Sequence, residues 1–410
     1  MAPSETTAGV GNSRGRPPLE GDWQEDLRAQ FPICDRAAYF QTGTLCPLAG
    51  PVRDAVDGCL DQEGDAGLTG SAALAAMFAD AEAARARLAS FLGARPEQIA
   101  WTSNTSLAIR YVLDATPWQP GDRILTTDTE HVGTRSALAA LTERHGVEPV
   151  VVPAGRDTDE VLGRLEQALR EPDRIRLLFL SQVSCQDGRC LPVHEAVERA
   201  HRAGVAVAID GAQSAGQLPV DLARLGCDYF VGSGHKWLLG PHGIGYLYVR
   251  DEAGYWPAFS LVPRPASEDV TGADAIPLRR RIEIGTESLA LRAGLDAALR
   301  LLDAAGLERI GRHVRGLRRT LVEGLGEIPG VEVLAPRYGA EASGIVAFRV
   351  DGYDLGALQR AVDALWESAS VVVKAQQDSA AIRVSLAGFN TGDEVARLIA
   401  AIPAALGRVG

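Results

Sequence analysis

Between about residue 50 and residue 250, helical patterns alternate with short apolar runs. This alternation restricts the fold more than any other feature of the chain, because strands joined by helices assemble into a mostly parallel sheet with helices on both faces. The 410 residues also exceed the length at which a single hydrophobic core keeps growing. We therefore predict a doubly wound α/β domain accompanied by a smaller one.

The apolar runs predict a central sheet of six or seven strands. Residues 159–170 show helical periodicity between two of these runs, and the Ala-rich residues 72–91 are followed by Gly93, where a helix would end. The predicted strands are residues 99–102, 123–126, 149–152, 175–180, 205–209 and 229–231.

After residue 283 the pattern changes, which indicates a smaller C-terminal domain. A long amphipathic run at residues 289–307 predicts a helix, and three apolar runs predict strands at 331–334, 344–350 and 381–385. Further helices are expected between these strands.

The same patterns divide the chain into three parts. Residues 1–22 are rich in Gly, Ser, Thr and Pro and contain no apolar segment, so we predict a flexible tail rather than a signal peptide, and a cytoplasmic location. Residues 45–288 are assigned to the large domain. Residues 23–44 and 289–410 are assigned to the small domain.

Charge and composition exclude several classes of protein. A net charge of -12 and a pI near 5.2 would repel a phosphate backbone, so nucleic acid is not an expected partner. The longest apolar runs are far shorter than the roughly 20 residues of a membrane span, so no membrane partner is expected. The six cysteines are scattered without metal-ligand spacing, and no metal is expected.

Lys236 is the strongest candidate for chemistry. It follows a buried strand in a Gly-rich loop, beside Ser233, His235 and Trp237, and Lys374 is the only other lysine among 41 basic residues. A buried ammonium is costly unless its pKa falls or the amine becomes a Schiff base with an aldehyde cofactor. The alternative is a surface lysine whose stem lies along apolar neighbours.

Other polar residues follow the predicted strands at the same sheet edge. Asp210 ends a strand and precedes Gln213, where a carboxylate can pair with a protonated pyridine nitrogen. Asn104 and Thr105 precede a helix whose free backbone N–H groups could bind a phosphate, and the imidazole of His131 could stack on an aromatic ring. Helix capping or turn formation explains Asp210 and Thr105 as alternatives, and an ordinary surface or core histidine explains His131.

In chain order, the motifs NTS, EH, DGAQ, SGHK, GT and IRVS resemble those of the class V aminotransferase family of pyridoxal 5'-phosphate (PLP) enzymes. That family includes cysteine desulfurases, kynureninase, isopenicillin N epimerase-like proteins and a carbon–sulfur lyase. The resemblance covers roughly residues 35–400. It implies the α/β fold type I, with a mostly parallel seven-stranded sheet in the large domain, a smaller α+β domain, and a homodimer with active sites at the interface.

The resemblance also implies roles for individual residues. Lys236 would form the internal aldimine, Asp210 would pair with the pyridine nitrogen, His131 would stack on the ring and Gln213 would reach the ring hydroxyl. Arg383 would bind the carboxylate of the amino-acid substrate, for which its planar guanidinium is suited. The phosphate would be held by Asn104, Thr105, Ser233 and His235, and by Thr286 of the neighbouring subunit.

Two departures from the family pattern bear on the reaction. The last cysteine is Cys227, so the C-terminal domain lacks the thiol that accepts sulfur in cysteine desulfurases, and Cys185 stands where many relatives have asparagine. We predict β-elimination from a cysteine S-conjugate, with transamination, epimerisation and decarboxylation as alternatives and a non-catalytic PLP-binding protein as the rival class. The pocket walls are expected from residues 41–47 and 256–274.

Overall fold

The computed structural model describes residues 22–67, 72–155, 157–170, 173–252, 254–257, 260, 276–334 and 342–407. Its strands are β1 (Ala38–Tyr39), β2 (Ile99–Thr102), β3 (Arg123–Thr127), β4 (Glu148–Val152), β5 (Ile175–Ser181), β6 (Ala206–Asp210), β7 (Tyr229–Ser233), β8 (Gly245–Val249), β9 (Val331–Val333), β10 (Ile345–Val350), β11 (Val371–Val372), β12 (Lys374–Gln376) and β13 (Ala381–Ser385).

The helices lie between these strands and at both ends of the described chain. They are α1 (Trp23–Arg28), α2 (Gly50–Ala66), α3 (Ala72–Phe91), α4 (Thr105–Ala115), α5 (Val132–His145), α6 (Thr158–Leu169), α7 (Val193–Arg202), α8 (Leu222–Leu225), α9 (Leu278–Ile282), α10 (Leu289–Ala305), α11 (Leu307–Gly326), α12 (Leu355–Ala369) and α13 (Gly392–Gly407). Two short 3-10 turns span Pro32–Asp35 and Pro96–Gln98.

Within the described part of the chain, seven strands form the central sheet, in the order β2-β8-β7-β6-β5-β3-β4. Only β8 runs antiparallel to its neighbours, so the predicted mostly parallel α/β sheet is confirmed. The sequence patterns missed β8, because its five residues directly follow the Gly-rich loop and were included in the lysine motif. The other six strands lie where they were predicted, within two residues at either end.

The sheet is buried on both faces, as the continuous apolar runs of its parallel strands require. Along β5, Leu177 and Phe179 belong to one hydrophobic cluster, and Leu178 and Leu180 belong to the other. Successive side chains therefore enter two separate helical layers. No helix in the described part of the chain is long and apolar enough to cross a membrane.

A second sheet of four antiparallel strands, ordered β12-β13-β10-β9, forms the C-terminal part of the fold. A helix was predicted over residues 289–307, but α10 ends at Ala305, and Gly306 separates it from α11. Gly306 adopts a left-handed φ of 78°, which ends α10, and its N–H bonds the carbonyl of Leu302. The proposed domain boundaries stay a prediction, and the predicted tail, except Asp22, lies outside the described residues.

Candidate active site

The carboxyl ends of the parallel strands meet at one edge of the central sheet and open into a cavity of about 460 Å³. The wall opposite this edge comes from the four-stranded sheet and from residues 43–44. Eight of the predicted site residues line the cavity: Asn104, Thr105, His131, Asp210, Gln213, His235, Lys236 and Arg383. Ser233 and Thr286 are not among the lining residues.

Lys236 lies in the turn after β7 and reaches into the cavity with partial exposure. The surrounding protein buries the ammonium and lowers its pKa below the ordinary 10.5, although the charge of Asp210 opposes this shift. The loop is fixed by hydrogen bonds of 2.9 Å from Gly234 N to Ile244 O and 2.8 Å from Gly240 N to Gly234 O. A buried lysine with a lowered pKa has the properties needed for a reactive amine.

Asp210 ends β6 and is nearly fully buried, at 6% exposure. Its Oδ1 accepts a 2.8 Å hydrogen bond from Ala212 N. Burial raises the pKa of the carboxyl, while the positive charge of Lys236 lowers it. Asp210 and Lys236, which both line the cavity, therefore shift each other's pKa through their opposite charges.

His131 caps the N-terminus of α5 and is exposed to the cavity. Its Nδ1 accepts a 3.0 Å hydrogen bond from Gly133 N, which leaves the proton of the neutral ring on Nε2. Burial, together with the charges of Lys236 and Lys374, lowers its pKa to about 4. The ring is therefore neutral at physiological pH, as a stacking partner for an aromatic ring can be.

The hydroxyl-rich side of the cavity lies at the N-terminus of α4. Asn104 Oδ1 accepts from Leu107 N at 2.9 Å, which places the predicted phosphate ligand Asn104 in a capping role as well. Two buried hydroxyl oxygens, Thr105 Oγ1 and Ser233 Oγ, have no hydrogen-bond partner among the described residues. Unpaired buried hydroxyls beside a helix N-terminus fit a phosphate group that would accept their hydrogen bonds.

Gln213 connects two segments that border the site. Its Nε2 donates to Gly43 O at 2.8 Å, and its Oε1 accepts from Trp237 Nε1 at 2.8 Å. A further bond of 2.8 Å from Cys46 N to His235 O attaches the same segment to the lysine loop. The contact of Gln213 with a cofactor hydroxyl stays a prediction.

Arg383 lies in the middle of β13 and is 3% exposed. One of its terminal nitrogens, Nη1, donates to Cys185 O at 2.9 Å, and Nη2 donates to Thr44 Oγ1. The Nε atom is buried without a partner, and no carboxylate in the described chain forms an ion pair with this guanidinium. The side chain is therefore fixed in place with its charge uncompensated.

Glu130 and Lys374 belong to the same neighbourhood, and the sequence interpretation assigned a role to neither. Glu130 stands in the EH motif, is fully buried, and has a pKa raised to about 7, chiefly by burial. Lys374 lines the cavity from β12. The one sequence feature that could have indicated a role for Lys374 is the scarcity of lysine, since the chain contains only two.

Thr286 follows α9 in an exposed segment and does not line the cavity of its own chain. Its contact with a neighbouring subunit stays a prediction. Of the predicted wall at residues 256–274, only residues 256, 257 and 260 lie within the described structure.

The buried lysine, the carboxylate at a strand end, the neutral histidine and the unpaired hydroxyls together have the chemistry that a PLP site requires. The family model for class V aminotransferases matches residues 57–398. The chain belongs to the class V aminotransferase family and is a PLP-dependent enzyme.

Curated relatives include a probable cysteine desulfurase 2 of Mycobacterium leprae, 32% identical over 93% of this chain and 96% of that protein. Isopenicillin N epimerase of Amycolatopsis lactamdurans is 34% identical over 78% of this chain and 83% of its own length. Among solved structures, the cystine C–S lyase C-DES in complex with cysteine persulfide has a TM-score of 0.81 at 28% identity, covering 91% of this chain and 99% of that chain. The Escherichia coli cysteine desulfurase CsdA has a TM-score of 0.79 at 27% identity, covering 94% of this chain and 99% of that chain.

Proposed function

We propose that the protein is a PLP-dependent lyase that removes the β-substituent of a cysteine S-conjugate. The Cβ–S bond breaks, the sulfur leaves with its electron pair and takes up a proton, and one water is consumed. The products are a free thiol, pyruvate and ammonia. Bound PLP supplies an aldehyde for the lysine amine and an electron sink for the negative charge left at the α-carbon.

The distribution of thiols carries this proposal. Cys185 is the only cysteine that lines the described cavity, and burial raises its pKa, so that the thiol stays protonated and a poor nucleophile. In the 410-residue sequence no cysteine follows Cys227. With no reactive thiol to accept the sulfur, release of a free thiol is favoured over transfer of sulfur to the protein.

The residues of the site have separate tasks in this reaction. Lys236, whose pKa is lowered by burial, removes the α-proton as a neutral amine. Asp210 would hold the pyridine nitrogen protonated, and His131 would cover the ring. Arg383 binds the α-carboxylate. The phosphate would be held by Asn104, Thr105, Ser233 and His235.

Transamination and epimerisation are alternatives that begin with the same loss of the α-proton and differ in the carbon to which a proton is returned. Decarboxylative deamination is a further alternative, in which the α-carbon loses carbon dioxide instead of the proton. The similarity to isopenicillin N epimerase favours epimerisation among these alternatives.

We also propose a cytoplasmic homodimer. In this arrangement Thr286, which is exposed on its own chain, contacts the phosphate in the neighbouring active site. The residue would thereby make each active site dependent on the dimer.

The proposal is tested with the purified protein loaded with PLP. Borohydride reduction followed by peptide mapping should attach the cofactor to Lys236 and leave Lys374, the only other lysine, unmodified. Lys236→Ala should lose the visible absorbance of the bound cofactor. Labelling of Lys374 alone, or no bound cofactor in the wild type, would overturn the assignment of the site.

The reaction is then assayed with cysteine S-conjugates in the absence of a keto acid. Equal amounts of pyruvate and thiol establish the lyase. Turnover only with a keto acid identifies a transaminase, and loss of optical activity without pyruvate identifies an epimerase. A protein mass increased by one sulfur atom after turnover identifies a desulfurase, and contradicts the proposal.

A further inference from the structure

Two cationic side chains lie directly opposite each other on the wall of the cavity. Lys374 of β12 and Arg383 of β13 are paired in register across the antiparallel strands. Directly opposed residues project to the same face of a sheet, and both side chains line the cavity. Because like charges in this position destabilise a sheet, the arrangement needs a compensating group.

The described protein supplies no such group. Neither Lys374 nor Arg383 has a carboxylate within ion-pair distance among the described residues. Of the two carboxylates that line the cavity, Asp378 forms an ion pair of 2.9 Å with Arg135, and Asp210 faces Lys236. The charge of Lys374 is thus left for a ligand.

The two cations also differ in their surroundings. Arg383 is fixed by Cys185 O and Thr44 in the inner strand β13, whereas Lys374 extends from β12, which lies at the edge of the sheet, and is half-buried. Gln376 lies two residues along β12 from Lys374, on the same face of the strand. Its Nε2 donates to Cys185 O at 2.8 Å, the same carbonyl oxygen that Arg383 bonds. A single carboxylate on Arg383 would leave the more peripheral ammonium unpaired.

We propose that the substrate is an amino acid whose side chain carries a second anionic group, which Lys374 binds while Arg383 binds the α-carboxylate. For the proposed lyase, on which this inference rests for the identity of the leaving group, the substrate class is an S-conjugate of cysteine with an acidic substituent on sulfur. Lys374 is then a determinant of specificity. An ammonium suits this position because it is a compact charge on a flexible stem and accepts anions of varied geometry.

The test compares two substrates of nearly equal size, S-carboxymethylcysteine and its amide, S-carbamoylmethylcysteine. The ratio of their kcat/KM values in the wild-type holoenzyme should favour the acid by about tenfold or more, as expected for a charged group bound away from bulk water. In Lys374→Gln this preference should fall to near one, and in Lys374→Arg much of it should remain.

Binding is measured in parallel by titrating the cofactor absorbance with each compound. This readout does not require cleavage, so the acid-to-amide ratio of Kd values tests Lys374 even if neither compound is cleaved. If the elimination assay fails but the binding ratio is as predicted, the lyase proposal is contradicted and the specificity proposal stands. Arg53→Gln, which removes an exposed cation on α2, should leave both ratios unchanged.

Two results would overturn the inference. One is a wild-type ratio near one, which shows that the pocket does not distinguish an anionic side chain. The other is an equal loss for acid and amide in Lys374→Gln, which shows that Lys374 shares the α-carboxylate with Arg383.

Discussion

Ser181 Oγ donates a 2.6 Å hydrogen bond to Glu130 Oε2 beneath the floor of the cavity. Ser181 also donates from its backbone N–H to Glu130 Oε1 at 3.1 Å, and Thr127 Oγ1 donates to the same oxygen at 2.8 Å. In the sheet, Ser181 is the register partner of Asp210. Two buried carboxyls are therefore brought to adjacent positions, one bonded to the protein and the other turned to the cofactor site.

Glu130→Gln should change how stability depends on pH. The pKa of Glu130 is raised from 4.5 to about 7, so folding favours its protonated form. The stabilisation from this group is complete below pH 4.5 and is lost as the pH rises through about 7, up to about 3 kcal/mol in all. A glutamine does not titrate and keeps an acceptor oxygen for Ser181 N and Thr127 Oγ1, so it should remove this part of the pH dependence.

The measurement is chemical denaturation of the apo-protein at several pH values between 4 and 8 for both forms. The difference in free energy of unfolding, wild type minus Glu130→Gln, should fall across this range. Parallel pH profiles for the two proteins would show that folding does not raise the pKa of Glu130.

Asp210→Asn should shift the pH dependence of cofactor attachment to lower pH. The carboxylate of Asp210 raises the pKa of Lys236, against the larger effect of burial. Without that charge the amine loses its proton at lower pH, and the neutral amine is the form that attacks an aldehyde. The rate at which the cofactor absorbance appears in the apo-protein, recorded against pH, measures the shift.

Asp378→Asn is the matched control, because Asp378 lines the same cavity but is not among the charges that shift Lys236. Its profile should coincide with the wild type. An Asp210→Asn profile that lies at the same or higher pH would contradict the electrostatic pairing.

Arg383→Lys should lower kcat/KM by about 100-fold, even though the positive charge is retained. Only the planar guanidinium can hold Cys185 O and Thr44 while it presents two donors to a carboxylate. Thr44→Val, which removes one of these supports, should cause a smaller loss. Steady-state kinetics with an active substrate measure both effects.

The same Arg-to-Lys change in the neighbouring strand provides the control. Arg349 of β10 is exposed and bonds Ser379 O at 2.9 Å. Arg349→Lys should leave kcat/KM near the wild-type value. If Arg383→Lys is equally mild, Arg383 does not bind the substrate carboxylate.

Gly211→Ala should destabilise the fold by about 1–3 kcal/mol, because a Cβ at this position would lie 1.9 Å from Cζ of Phe230. Phe230→Leu should recover part of this loss in the double variant, since the clash is with the ring. Gly64→Ala in α2 meets no atom within 4 Å and should be neutral or slightly stabilising. Denaturant unfolding of the wild type, Gly211→Ala, Phe230→Leu and the double variant measures the coupling energy between the two positions. If the losses of the two single variants simply add in the double variant, the predicted clash is contradicted.

Much of the site could be predicted from the sequence because strand ends carry their own signals. Asp210 and Lys236 each follow an apolar run, and the carboxyl ends of parallel strands share one edge, so their proximity follows from local pattern and topology. The exact boundary of α3 was likewise readable from its alanines and from Gly93. By contrast, the antiparallel β8 had no alternation to distinguish it from the preceding loop.

The sequence by itself determined the class of sheet, the presence of a lysine in the Gly-rich loop and the absence of a late cysteine, because each depends on residue type and short-range order. Only the tertiary structure decided that Lys374 lies opposite Arg383 and that Glu130 lies behind Ser181. These contacts join residues that are distant along the chain or separated by a turn whose register has no local signal. Side-chain pairing of this kind is fixed by strand register and packing, and these arise only when the whole chain is folded.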